Sequence, residues 1–163
     1  MKKIFTLLFV SIFLLTSCSS DDDNVDFDTI GQTLEFTTTF NSGNGFMERF
    51  IFDQNIFDSD VVLVFRLDGV DNGLDVWEPL PTASFFFFND TTGAIEGFLN
   101  YRFNFTVGDV DVFLNTDAPG LAGPEFTDNQ TFRVVVVPSD FAQNTEVDLS
   151  NFNELSTALN LEF

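Results

Sequence analysis

Alternation with a period of two dominates the chain from Thr33 onward. Leu34, Phe36, Thr38 and Phe40 fall on one side of an extended segment and Glu35, Thr37 and Thr39 on the other, the pattern of a half-buried strand. Asn41-Ser42-Gly43-Asn44-Gly45 supplies turn residues, so residues 46–52 are expected to return beside the first strand as a hairpin. Residues 61–67 carry Val, Leu and Phe on both sides, Arg66 excepted, which predicts a strand in the interior of the fold.

Asp68-Gly69-Val70-Asp71-Asn72-Gly73 is turn chemistry, and Val76-Trp77-Glu78 resumes the sheet. Pro79 and Pro81 donate no ladder hydrogen bond, so they mark an edge or a break before residues 83–88. Asn89-Asp90-Thr91-Thr92-Gly93 turns again. Residues 98–106 and 110–114 form two more strands joined through Val107-Gly108-Asp109, and residues 131–137 form the last strong one. Residues 117–129 read as a long loop. Leu149, Phe152, Leu155 and Leu159 recur at three and four residues, predicting a short helix capped by Asp148 or Ser150 and packed over an open end of the sheets.

The predicted fold is therefore all-β, an antiparallel β-sandwich of about 7–8 strands with one short C-terminal helix. Domain bounds follow as residues 1–17, 18–32 and 33–163. A closed outer-membrane barrel is disfavoured, because one Trp and one Tyr cannot make two aromatic girdles.

The N-terminus departs from this pattern. Lys2 and Lys3 precede a mostly apolar run from Ile4 to Leu15, too short for the ~20 residues of a spanning helix and suited to a secretory signal. Leu15-Thr16-Ser17-Cys18 resembles the lipobox of bacterial lipoproteins, which implies cleavage before Cys18 and lipidation of its thiol. Ser20, Asp21, Asp22 and Asp23 lie in a stretch without apolar residues that forms a solvated tether. This acidic stretch also resembles the surface-export signal of Bacteroidota lipoproteins, and Asp28-Thr29-Ile30 matches their O-glycosylation pattern. The resemblance implies an outer-membrane protein anchored by lipid and displayed outside the cell.

Three further segments, residues 61–67, 75–81 and 129–138, resemble a family of uncharacterised flavobacterial lipoproteins. The similarity extends over roughly residues 45–160 and implies a shared β-rich fold without assigned catalytic residues. This chain lacks the Gly-Pro tract that many members carry after the lipid site.

Both lysines lie in the signal, leaving Arg49, Arg66, Arg102 and Arg133 against 26 Asp and Glu. So acidic a chain repels nucleic acid and anionic head groups. Its hydrophobic content of 44% nevertheless supports a folded core. With no His, no Lys beyond the signal and Cys18 as the only cysteine, disulfide staples are excluded. So are His- and Cys-based nucleophiles, Schiff-base lysines and His or Cys zinc sites. Gly43-Asn44-Gly45 leads into a strand and lacks the helix that a dinucleotide fingerprint requires.

Carboxylates remain. Asp109 and Asp111 share a strand face, yet no paired context marks them as a glycosidase dyad. Asp68, Asp71, Asn72, Asp75 and Glu78 are candidate Ca²⁺ ligands in an irregular loop, since Val70 breaks the EF-hand pattern. Trp77 and Tyr101 are candidate platforms for a sugar, and the phenylalanines of residues 85–88 are assigned to the core. The expected function is non-catalytic binding or adhesion at the membrane exterior, with a glycan or a surface protein as partner. The alternative is a glycan-binding accessory protein of polysaccharide uptake, with Ca²⁺ as its one candidate cofactor.

Overall fold

Eight alternating runs become strands in the computed structural model, which describes residues 32–161. They are β1 (Gln32–Thr38), β2 (Met47–Ile51), β3 (Val61–Asp71), β4 (Leu74–Pro79), β5 (Phe85–Phe88), β6 (Ile95–Phe105), β7 (Asp109–Thr116) and β8 (Gln130–Val137). Sheet I has the order β1-β8-β3-β4 and sheet II the order β2-β7-β6-β5. Every pairing is antiparallel. The two sheets are separate and keep their edges, so this is the antiparallel sandwich expected from the pattern.

The main core lies between the sheets. Val62, Val64, Phe132, Val134 and Val136 of sheet I meet Leu99, Tyr101, Val110, Val112 and Leu114 of sheet II. Phe132 sits at its centre, with ring centroids 5.5 Å from Phe36, 5.9 Å from Phe40 and 5.8 Å from Tyr101.

A second core explains why β3 and β8 are apolar on both sides. Phe65, Val135 and Val137 point away from the sandwich and pack against Phe152 and Leu155. These last two belong to α3 (Phe152–Leu159), which follows α1 (Pro124–Thr127) and α2 (Ser139–Asn144). The C-terminal helix therefore covers the outer face of sheet I and not an open end of the sheets. Alternation along β3 and β8 offers a second apolar face, and that face is where a helix with one apolar stripe buries most surface. The N-cap is Asn151 rather than Asp148 or Ser150. Its Oδ1 accepts from the backbone N–H of Asn153 and Glu154, while its Nδ2 donates to Glu154 Oε1. Asp148 closes the preceding turn instead, and the Ser150 hydroxyl and backbone N–H hold its carboxyl below the usual range.

Chain direction departs from expectation at the first turn. β1 pairs with β8 and β2 pairs with β7, so Asn41–Gly45 crosses from one sheet to the other and makes no hairpin. Reciprocal amide bonds hold the corner. Asn41 Oδ1 accepts from Gly43 N at 2.8 Å, and Asn44 Oδ1 accepts from Asn41 N at 2.9 Å. β1 begins at Gln32, one residue inside the segment read as tether. The β3–β4 hairpin is tighter than its turn chemistry suggested, with Asn72 and Gly73 alone at the reversal and φ of 50° and 83°, as a type I′ turn requires. Residues 117–129 contain α1 and a 3-10 turn at Pro119–Leu121. They lie so close to β6 that a Cβ on Gly97 would collide with Ala118.

Candidate functional site

Because α2 and α3 cover sheet I, the outer face of sheet II is the broad sheet face without a helix among the described residues. Alternation assigns its side chains. Val110, Val112 and Leu114 of β7 point into the core, so Asp109, Asp111, Phe113 and Asn115 point outward. On β6 the outward set is Phe98, Asn100, Arg102 and Asn104, opposite Leu99 and Tyr101 in the core. Cross-strand register then sets Arg49 beside Asp111, Arg102 beside Phe113 and Asn100 beside Asn115.

These rows differ in how far their polar groups are satisfied. Arg49 closes on Asp111 through two parallel bonds, Nε to Oδ1 and a terminal nitrogen to Oδ2, each 2.7 Å. Asp109 stands 3.6 Å from the same guanidinium, and the pairing raises the Arg49 pKa above its already high ordinary value. Asn115 Nδ2 donates to Asn100 Oδ1 at 2.8 Å. Arg102 is exposed and makes no ion pair with any described residue.

Arg102 lines a depression of about 390 Å³ with Asn104, Phe113, Asn115, Thr116 and Pro119, closed at one end by Gly45 and Phe46. Its volume lies at the lower end for small-ligand sites, which begin near ~300 Å³. The β5 edge beside this face is aromatic. Phe86 and Phe88 are 44% and 57% exposed, and Phe85 is 48% exposed. Assigning residues 85–88 to the core was therefore wrong for three of the four. An edge strand has neighbours on one side only, so alternating burial cannot be completed there.

Tyr101 is a core residue and not a platform. It is 2% exposed, and its hydroxyl donates to the carbonyl of Phe126 at 2.6 Å and lies 3.1 Å from Gln130 Oε1. Gln130 in turn accepts from Arg66 Nε at 3.0 Å and donates to the carbonyls of Glu125 and Asp128. The network ties the loop of residues 117–129 to the mouth of the sandwich. Burial pushes the Tyr101 phenol up to about 12, outweighing the opposing pull of Arg66, whose guanidinium lies 4.6 Å from the ring centroid.

A folded phenol that holds its proton more tightly than the unfolded one, near ~10, stabilises the fold fully below that value. This contribution is lost as pH rises through about 12. Tyr101 is the only tyrosine, so phenolate absorbance reports it alone. The expected native midpoint is about 12, falling to ~10 in denaturant, and Tyr101→Phe should remove the loss of stability across that interval. A native midpoint at ~10 would show that the hydroxyl reaches water.

Trp77 is half-buried on the outer face of sheet I. The Arg133 guanidinium lies 4.0 Å from its ring centroid and the Phe152 ring 5.4 Å away. The indole is thus a seat for α3 and Arg133, which leaves less of it to meet a sugar. The acidic set divides. Asp68 accepts from Arg66 at 3.0 Å and Glu78 stands 3.9 Å from the same nitrogen, whereas Asp71, Asn72 and Asp75 lie at the far hairpin end. Strand β3 continues through this segment and separates ligands that a loop would have gathered. Among the described residues no three Asp, Glu, His or Cys side chains converge as a metal site. Asp109 and Asp111 share a face as expected, and both are engaged by Arg49.

Cys18, Ser20, Asp21, Asp22, Asp23 and the Asp28-Thr29-Ile30 pattern lie outside the described residues. Among those described, no helix is long and apolar enough to cross a membrane. Searches for a matching protein family, a similar curated protein or a similar solved structure return none.

The depression itself was not anticipated. Asn100, Arg102 and Asn104 alternate through β6 and read individually as an ordinary solvated face. Only the cross-strand neighbours Phe113 and Asn115, together with the loop at Pro119, turn that face into a hollow.

Proposed function

We propose that this chain is a non-catalytic, lipid-anchored binding protein of the cell exterior, and that the outer face of sheet II is its contact surface. One observation carries the reading: helices cover one broad face of the sandwich, while sheet II keeps exposed Phe86 and Phe88 on its β5 edge and an amide- and guanidinium-lined hollow on β6 and β7. Exposed aromatic surface costs solubility, and it persists where a partner covers it. The anchor rests on the lipobox at Cys18, and outward display rests on the acidic stretch behind it. The absence of His, of Lys beyond the signal and of any cysteine but Cys18 removes most catalytic machinery and favours binding over turnover.

The test uses cells producing the full chain, Cys18→Ala, or a Phe86→Ser/Phe88→Ser double variant. External protease is expected to release the domain from intact cells, and Cys18→Ala to abolish retention in the membrane fraction. The double variant should stay on the surface while losing adhesion to polysaccharide- or protein-coated supports. Protease resistance in cells whose lysates are digested, or adhesion unchanged in the double variant, would overturn the reading.

A further inference from the structure

Arginine is scarce in this chain and carboxylate is abundant, so the fate of each guanidinium is informative. Arg49 is tied to Asp111 and Asp109, Arg66 to Asp68 and Glu78, and Arg133 to Glu35. Arg102 has no such partner among the described residues, in a protein with 26 acidic side chains. Three other depressions on the molecule each include a carboxylate: Asp71 and Asp75, Asp53, and Asp68 with Glu78. The hollow holding Arg102 includes none.

We propose that this hollow is a subsite for one anionic sugar residue, with Arg102 receiving its carboxylate or sulfate. The inference rests on the reading of sheet II as a binding face and names the ligand class for it. Three features of the lining converge on that class. A guanidinium presents paired N–H donors that match the two oxygens of a carboxylate or sulfate. The side-chain amides of Asn104 and Asn115 supply both donors and acceptors, as vicinal hydroxyls require, while the Thr116 hydroxyl is spent on the Phe98 carbonyl. Phe113, Phe46 and Pro119 offer apolar surface for the C–H face of a pyranose ring. A free phosphate would use the first feature and leave the other two idle. An acidic peptide would need backbone partners, which the interior strands β6 and β7 have already spent on their neighbours.

The strongly negative chain does not forbid this ligand. At physiological ionic strength charges beyond ~8 Å are screened, whereas an anion seated on Arg102 meets it at contact. Distant carboxylates would slow the approach of such a ligand without cancelling the seat.

The test is a calorimetric titration of the full-length lipoprotein in detergent micelles near physiological ionic strength. Its probes are an oligogalacturonate, a sulfated galactan oligosaccharide and a neutral galactan oligosaccharide of equal length. At least one charged probe is expected to bind at least tenfold tighter than the neutral one, and comparing the two shows whether carboxylate or sulfate is the anion. Arg102→Gln should weaken charged-probe binding by about tenfold to a hundredfold, the loss expected for hydrogen bonds to a charged group. It should leave neutral-probe binding within about twofold and the melting temperature unchanged, because no described structural partner is removed. Equal affinity for charged and neutral probes, or an Arg102→Gln variant that binds the charged probe as wild type does, would overturn the anionic subsite while leaving sheet II a binding face. Binding of no saccharide would also overturn it, and the reading of sheet II as a contact surface would then stand or fall on the adhesion of the Phe86→Ser/Phe88→Ser cells.

Discussion

Replacing Phe132 by alanine is expected to destabilise the domain by roughly 3–5 kcal/mol and to lower its melting temperature by on the order of 10–20 °C. The ring has no exposed surface and meets Phe36, Phe40 and Tyr101 in the layer between the sheets. Truncation opens a cavity walled by other aromatic rings and by Val side chains of two different sheets. Such walls cannot collapse inward without breaking strand register, so little of the lost contact is recovered. With a typical total of ~5–15 kcal/mol, the loss is a large share of stability. Urea unfolding gives the difference directly, and Phe88→Ala serves as the comparison. Phe88 is 57% exposed at the β5 edge, and its truncation should change stability by less than ~0.5 kcal/mol. A loss below ~1 kcal/mol at Phe132 would mean that the rings repack and that the aromatic layer is not what joins the two sheets.

The difference between Phe132 and Phe88 also marks where sequence patterning stops being informative. Apolar runs bounded by turn residues located every strand, and where a run alternates it also states which face each side chain takes, because that choice is written locally. The same pattern also separated the two-sided burial of residues 61–67 from the one-sided burial of residues 33–40, which the second core beneath α3 accounts for. Pairing is a different kind of information. Asn41–Gly45 has the composition of a hairpin turn, yet β1 goes to β8 across most of the chain and β2 goes to β7. Local turn chemistry states that the chain reverses and is silent about which partner lies beyond the reversal.

The site was less legible than the fold for a related reason. Trp77 and Tyr101 were singled out because rings with a polar handle often meet ligands. In this sandwich both rings serve the structure, the phenol through Phe126 and Gln130, and the indole through the contact of its face with Arg133. The acidic residues 68–78 looked like a ligand cluster as long as they were read as a loop. Once β3 runs to Asp71, Asp68 and Glu78 turn to Arg66, and Asp71 and Asp75 stay at the hairpin tip. Arg102 carried the opposite error. One arginine among polar neighbours in β6 is unremarkable by itself, and its lack of a counter-charge becomes visible only when the other three arginines are seen paired.

Leu155→Ala is expected to remove the helical layer from sheet I without unfolding the sandwich, at a cost of roughly 2–5 kcal/mol. An isolated helix of 8 residues is unstable in water, and the Asn151 cap contributes only ~1 kcal/mol. Helix α3 therefore exists because Phe152 and Leu155 are buried against Phe65, Val135 and Val137. Removing the side chain that is wholly buried leaves Phe152 as the main anchor, and cap and anchor together do not offset the entropy of ordering the segment. Trp77, the only tryptophan, reports the event because it lies 5.4 Å from Phe152. At ~pH 11, between the unfolded and folded phenol midpoints, its emission should move to the red at temperatures where Tyr101, in the main core, still shows little phenolate absorbance. Amide exchange should rise in α3 while β6 and β7 keep their protection. If α3 and β7 instead lost protection together, the two cores would be one cooperative unit. The cover over sheet I would then be part of what holds sheet II in shape, and substitutions beneath α3 would disturb binding on the opposite face.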